Sequence, residues 1–308
     1  MAAVVSVIVP LFLIIFGSAV VERLTGVGER WSPVLNDFAL YVGFPALILL
    51  ALARTPLSPA ANAGLLAANS IFLLAVFGLA YLLGVLLRLE PVRRRTVFLC
   101  LGFGNVAYLG VPILVQVWGP SVLPTAGMII AVYLFWIFTL GLGVVQHGRT
   151  EGALLRTTLG GLVRSPLLLA VVAGILLGAT GPALPAPVVA ALDMLAASVT
   201  PLVLVLIGLF IGRARAGNLR EWVPVLGFSL ATLVVLPGMF LLGLLAAGIP
   251  PSSHTVSIVQ AAMPVAITPF ALAGPLELDR EFIARSIVLS TVLSAVTLPL
   301  WISLVGAP

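Results

Sequence analysis

The sequence predicts an all-α integral membrane protein of ten transmembrane helices, arranged as two inverted five-helix repeats whose fourth and ninth helices are broken and cross. Three observations carry this expectation: a composition suited to lipid, an alternation of arginine-rich and arginine-poor connections, and helix-breaking residues at matching depth in two halves of the chain.

Of the 308 residues, 8% are charged and 61% hydrophobic, whereas a soluble domain carries about a quarter charged residues. At about 20 apolar residues per crossing, the chain has room for roughly ten helices. A transmembrane barrel would read as short segments of alternating polarity, and the runs here do not alternate. The single cysteine, Cys100, excludes an internal disulfide and a cysteine-based metal cluster; it reads as a small buried apolar residue. All fifteen basic residues are arginine and the net charge is +5. In a soluble protein such a balance suggests nucleic acid. Here the arginines fall between apolar runs, so the partner expected is the lipid bilayer and not nucleic acid. The first apolar stretch, "AAVVSVIVPLFLIIFGSAVV", lacks a basic leader and is long enough to span, so it reads as the first helix and not as a secretory signal.

Apolar runs between arginine, Gly/Pro and polar breaks place spans near 3–21, 34–53, 64–87, 96–117 and 122–145, then near 164–180, 188–212, 222–247, 254–273 and 282–304. Fourteen arginines follow odd-numbered spans; only Arg54 falls elsewhere. Under the positive-inside rule the odd connections are cytoplasmic and both termini lie outside, in a bacterial plasma (inner) membrane.

Asp37 precedes Pro45 by eight residues near the start of span two, and Asp193 precedes Pro201 by eight near the start of span seven. The displacement of 156 also takes Pro10 to Pro166, carries Asn105 to Ala261, and lands Pro112 one residue from Pro269. Two five-helix halves follow, residues 1–150 and 151–308. Because five is odd, the second half enters from the opposite side, the inverted repeat of many secondary transporters.

The stretch "GFGNVAYLGVP", Gly102 to Pro112, puts three glycines, an amide and a proline into span four. Asn105 lies nine residues in, roughly 14 Å at 1.5 Å per residue, near the middle of a ~30 Å core. Its counterpart in span nine, "QAAMPVAITP", runs from Gln260 to Pro269. Proline removes a donor and glycine relaxes the backbone, and irregular backbone survives in a membrane only inside protein or along a watery cavity. Both spans are therefore expected to unwind at mid-membrane, cross, and aim the positive N-terminal ends of their second half-helices at a shared site. The candidate substrate-binding residues are Asn105, Tyr108, Gly110, Pro112, Gln260, Met263, Pro264 and Thr268, which hold a carboxylate without a buried lysine or arginine.

"GNVAYLGVPI" resembles the fourth-helix signature of the auxin efflux carrier family, approximately Gly-Asn-Thr-Gly-Phe-Leu-Gly-Ile-Pro. Gly104, Asn105, Leu109, Gly110 and Pro112 match it, Tyr108 and Val111 are near-equivalents, and Val106 and Ala107 depart from it. "SPLLLAVVAGILLG" is similar to the family's sixth helix, and "LELDREFIARSIVLSTVLSAVTLPLWISLV" to its last. The resemblance implies a ten-helix carrier related in fold to bile-acid sodium symporters. Spans three to five and eight to ten would form a mobile transport unit, and spans one, two, six and seven a scaffold that is often dimeric, so a homodimer is implied. Substrate, a small organic anion such as an auxin or dicarboxylate, would sit at the crossover and move by an elevator-type displacement.

Asp37 and Asp193 are the carboxylates closest to the core and thus candidates for gating or coupling. Pro33 and Pro187 read as first helical residues, which gives both acids a simpler role beside a helix N-terminus. His147 and His254 read as solvated surface residues, Pro45 and Pro201 as bends in scaffold helices. Tyr41 and Asn69 are polar enough to face a cavity. Ser290, Thr291 and Ser294 in span ten can reach the crossover, although bonding to carbonyls one turn back is favoured. Neither a HExxH or Gly-Asp protease pattern nor two acids within one span occurs, so no enzyme is expected. The rivals are a sodium-coupled symporter of bile-acid type, which shares the fold, and a passive channel or membrane sensor. No cofactor is expected, and coupling to Na+ or H+ stays open. The orientation is directly measurable: alkaline phosphatase fused after Pro308 should be active and a fluorescent protein there dark, and the reverse pattern would invert the topology.

Overall fold

The computed structural model describes residues 2–54, 59–146, 160, 164–180, 184–214 and 218–306. Twelve helical elements run through them: α1 (Ala2–Thr25), α2 (Gly28–Ala53), α3 (Pro59–Leu86), α4 (Pro91–Gly102), α5 (Gly110–Trp118), α6 (Pro120–Val145), α7 (Pro166–Thr180), α8 (Ala186–Gly212), α9 (Leu219–Ala246), α10 (Thr255–Ala261), α11 (Thr268–Leu272) and α12 (Arg280–Leu304). Seven of these are long and apolar enough to cross a membrane, and α7 is a shorter apolar helix of 15 residues. The expected spans four and nine are each interrupted, as α4/α5 and α10/α11. The chain is a multi-pass helical membrane protein.

Helices overrun the apolar runs that mark them because their ends lie among headgroups, where polar residues cap them. Asn218 and Glu221 form a reciprocal capping box at the start of α9, and Asp279 Oδ1 accepts the Phe282 N–H at 2.9 Å to open α12. The same effect corrects one expectation. Glu22 Oε2 accepts the Gly28 N–H at 2.5 Å, so α2 starts at Gly28 and Pro33 lies inside it. Asp37 is consequently an exposed mid-helix residue, not a neighbour of a helix N-terminus. Pro187 does lie in the first turn of α8, but Asp193 is bound by an arginine. Within α2 and α9, π-helical turns at Ala39–Gly43 and Ala231–Val235 end two residues before Pro45 and Pro237; such turns re-satisfy backbone groups that proline frees. Pro201 sits inside α8.

Packing sorts the helices into two groups. In the first, α1 lies on α8 and α2 on α7 and α8. Gly208 permits the closest of these approaches: a Cβ there would collide with the Ile15 carbonyl and the Ser18 side chain. On α7, a Cβ at Gly174 would lie 2.8 Å from Leu52 Cβ. Residues 18 and 174, and likewise 52 and 208, are separated by the 156-residue displacement found in the sequence. The second group holds α3 to α6 and α9 to α12, with α3 on α4 and α6 and α9 on α10 and α12.

Ion pairs follow the same division. Arg54–Asp193 (2.7 Å) and Arg213–Glu22 (2.9 Å) tie the first group; Arg93–Asp279 (3.0 Å) and Arg285–Glu221 (2.7 Å) tie the second. The last three join connections that follow odd-numbered spans, while Arg54–Asp193 joins two that follow even ones, as alternating crossings require. The Asp193 hydrogen bonds hold the Arg54 pKa above its usual value. The expected boundary between halves at 150/151, with His147, lies outside the described residues.

Gly208→Leu should destabilise the detergent-purified protein by about 3 kcal/mol or more, since backbone cannot yield as a side chain tip does. Gly78→Leu, on an open surface, should leave the melting temperature unchanged; equal melting of both would refute the close-contact role.

Candidate functional site

Each interruption begins where the helix can no longer be continued. At Gly102 a Cβ would meet the Phe77 ring at 2.5 Å, and Phe103 turns out of the helix at φ −101°, ψ 64°. On the other segment α10 stops at Ala261, Pro264 lies in the non-helical stretch that follows, and Pro269 sits in the first turn of α11. The two irregular stretches meet. The Asn105 N–H donates to the Pro264 carbonyl at 2.7 Å and the Ala266 N–H to the Phe103 carbonyl at 2.9 Å, an antiparallel bridge centred on Gly104 and Val265. An unsatisfied backbone group in a bilayer costs several kcal/mol, so each break supplies what the other lacks.

Side chains complete the joint. Gln260 Nε2 donates to the Val106 carbonyl at 3.3 Å. Ser290 Oγ on α12 accepts the Val265 N–H at 3.1 Å and donates to the Ile287 carbonyl at 3.3 Å. The hydroxyl thus does reach the crossover while bonding its own helix, whereas Ser294 bonds only one turn back, to Thr291. Within the bridge, Asn105 and Ala266 make equivalent donations, to Pro264 and Phe103.

The expected helix-dipole cradle is not what the geometry provides. Asn105 caps α5 itself: its carbonyl accepts from Gly110 N–H at 2.9 Å and its Oδ1 from Leu109 N–H at 3.3 Å. Val111 and Ile113 donate to Ala107 and Leu109, and Pro112 has no N–H. The first N–H groups of α5 are therefore consumed locally. α11 is a single turn of five residues, too short for an appreciable macrodipole.

Of the sequence-selected residues, Asn105, Tyr108 and Thr268 line a cavity of about 170 Å³ at the joint. Gly110, Pro112, Gln260, Met263 and Pro264 are buried around it and hold its shape; a Cβ on Gly110 would lie 3.4 Å from the Asn105 carbonyl and 3.6 Å from Met263 Cγ. Tyr108 reaches into the other helix group, donating to Asn36 Oδ1 at 3.0 Å and stacking on Phe44 at 5.1 Å. Asp193 lies away from the joint, beside Arg54 at the far end of α2 from Gly28, whereas Asp37 accepts from Asn36 Nδ2 at 3.5 Å, next to the Asn36–Tyr108 contact. Asn69 is buried, donating to Leu65 and Ser257, while Tyr41 is 62% exposed on the outer surface. His254, expected at the surface, is buried in the turn before α10 with Nδ1 2.9 Å from Ser253 Oγ, because that turn folds back onto Phe240 of α9.

Sequence reading missed Tyr133. It lines the joint cavity, and its buried hydroxyl has no hydrogen-bond partner among the described residues; a lone tyrosine in an apolar run gives no signal. It also missed Arg213 and Arg280 as cavity residues, since both satisfy the charge pattern of the connections. A larger cavity, about 540 Å³, shares Leu40, Tyr108, Ile267 and Thr268 with the joint cavity and reaches both arginines.

A family model described as "Membrane transport protein" matches residues 3–302. An uncharacterized transporter of Methanocaldococcus jannaschii is 25% identical over 291 residues, 89% of each chain. One of Methanothermobacter thermautotrophicus is 26% identical over 311 residues, 98% of each. A protein of Rhizobium meliloti named "Putative malonate transporter" is 23% identical over 304 residues, 96% of this chain and 94% of that one.

Ser290→Ala strands a buried donor, so it should cost about 1–3 kcal/mol in thermal unfolding. Ser294→Ala, which breaks only a local bond, should cost less than half as much; the opposite order would remove Ser290 from the joint.

Proposed function

Because the chain belongs to the auxin efflux carrier family of membrane transport proteins, we propose that it is a secondary carrier that exports or exchanges a small organic anion, in a bacterial inner membrane. The observation that carries this reading is the joint: two interrupted segments paired at mid-depth, beside a cavity that continues toward one face. A ten-crossing, inverted-repeat architecture with cytoplasmic odd connections is supported by the paired glycine contacts and by the parity of the ion pairs.

An elevator-type displacement is supported by where the strong contacts lie. The ion pairs fall within α1, α2, α7 and α8, the proposed scaffold, or within the proposed transport unit. The bridge itself lies inside the transport unit. Between the two, α1 packs on α5 and α12, α2 and α7 pack on α6, Tyr108 makes one hydrogen bond and one ring stack with α2, and Phe210 packs edge-on against Phe270. These are contacts without an ion pair among the described residues, which a sliding unit can exchange. Asn105, Tyr108, Tyr133 and Thr268 are the proposed substrate contacts; they are neutral, so the substrate charge is not neutralised at mid-depth. A dicarboxylate substrate is favoured by the name of the rhizobial relative. Asp37 and Asp193 remain candidates for gating, and dimerisation through the scaffold follows from the family resemblance.

The test is counterflow of labelled malonate into liposomes that hold the purified protein, with and without sodium. Wild type should accumulate label above protein-free vesicles, and Asn105→Ala should abolish accumulation while its unfolding free energy falls by no more than the loss of one helix cap, about 1 kcal/mol. Failure with malonate and a panel of other mono- and dicarboxylates would overturn the organic-anion reading, and a strict sodium requirement would favour a bile-acid-type symporter.

A further inference from the structure

Three cavities join end to end. The one at the joint meets the 540 Å³ chamber through Tyr108 and Thr268, and that chamber shares Phe210, Arg213, Phe270 and Arg280 with an outer cavity of about 460 Å³. The chamber falls within the range of small-molecule sites, about 300–1,000 Å³. It lies between the helix groups: Phe210 and Arg213 come from the end of α8, Phe270 from α11 and Arg280 from the start of α12.

Charge is graded along this passage. Glu29 and Glu281 line the outer cavity, whereas the charged residues described around the chamber are Arg213 and Arg280 alone. Glu281 bonds Arg285 at 3.2 Å, and Arg213 spends its Nε on Glu22 at 2.9 Å. Arg280 has no ion pair among the described residues. Its guanidinium lies 4.4 Å over the Phe270 ring, and Phe270 packs edge-on against Phe210 at 5.0 Å. Stacking fixes the guanidinium plane and leaves its in-plane N–H groups available for a carboxylate in bidentate geometry. Apolar walls strengthen the attraction by focusing the field. An arginine serving only the positive-inside rule has no need to line a cavity that leads to the joint.

We infer that Arg280, assisted by Arg213, forms an anion-receiving station ahead of the crossover, which binds the carboxylate group of a small organic acid on the aromatic pair Phe210–Phe270. The inference rests on the carrier reading for the identity of its cargo, not for the station itself. The station is built from both helix groups, so an occupied station bridges the proposed scaffold and transport unit. It concentrates anion where the neutral joint cannot.

The test uses a cysteine at Ala271, which lines the chamber; native Cys100 is fully buried and stays unreactive. In detergent-purified Ala271→Cys protein, the anionic sulfonatoethyl methanethiosulfonate should react faster than the cationic trimethylammonium reagent by about fivefold, relative to the same ratio for a free thiol. Arg280→Gln should return the ratio to the free-thiol value and Arg280→Lys should retain most of it. Malonate should slow modification in the Arg280 background and not in the glutamine one. If Ala271→Cys does not fold, Ala284→Cys in the outer cavity replaces it. A ratio near the free-thiol value, or one unmoved by Arg280→Gln, overturns the station. A charge-dependent ratio without malonate protection supports the station and counts against malonate as cargo, which separates the two failures.

Discussion

A backbone group inside a bilayer must find a hydrogen bond within the protein, and this constraint organises the whole molecule. Glycine and proline interrupt two helices in mid-membrane, and neither segment could stay there alone. They persist because Asn105 and Ala266 donate across to Pro264 and Phe103, with Gln260 and Ser290 filling the remaining positions. Most of the buried polar side chains described gather in the helix group of the joint, including Asn69, Asn105, Ser257, Gln260, Ser286, Ser290 and Ser294, with Glu22 and Ser165 buried in the other.

The ion pairs stay inside each group, while apolar side chains of α1 and α2 pack across the boundary on α5, α6 and α12. Small residues bring α8 against α1 and α7 against α2 at backbone distance, a packing mode that gains attraction where lipid offers no hydrophobic drive. Ion pairs at the headgroup levels staple the same groups, and partly exposed ones such as Arg54–Asp193 fix geometry more than they add stability. Across the boundary Tyr108 contributes a hydrogen bond and a stack.

The passage to the joint divides attraction from passage. Arginine is placed where water still reaches it and the cost of its charge is modest; the neutral joint carries no fixed charge in the low-dielectric centre, where an unpaired ion would cost several kcal/mol. Under the proposed carrier reading, a substrate anion would meet its strongest counter-charge before the joint, and no buried lysine or arginine would trap it there.

The sequence by itself determined the helical membrane class and the location of both interruptions; the sidedness of the connections is its expectation from the positive-inside rule. These are local signals: hydropathy sums along a run, proline and glycine act on their own turn, and arginine sorts at the nearest headgroup layer. Tertiary structure decided what the interruptions do to one another. That Asn105 pairs with Pro264, that Ser290 reaches Val265, and that Tyr133, Arg213 and Arg280 line one continuous passage depend on contacts between distant parts of the chain. Only packing brings such groups within hydrogen-bond range, and no periodicity along the sequence encodes which freed donor meets which freed carbonyl.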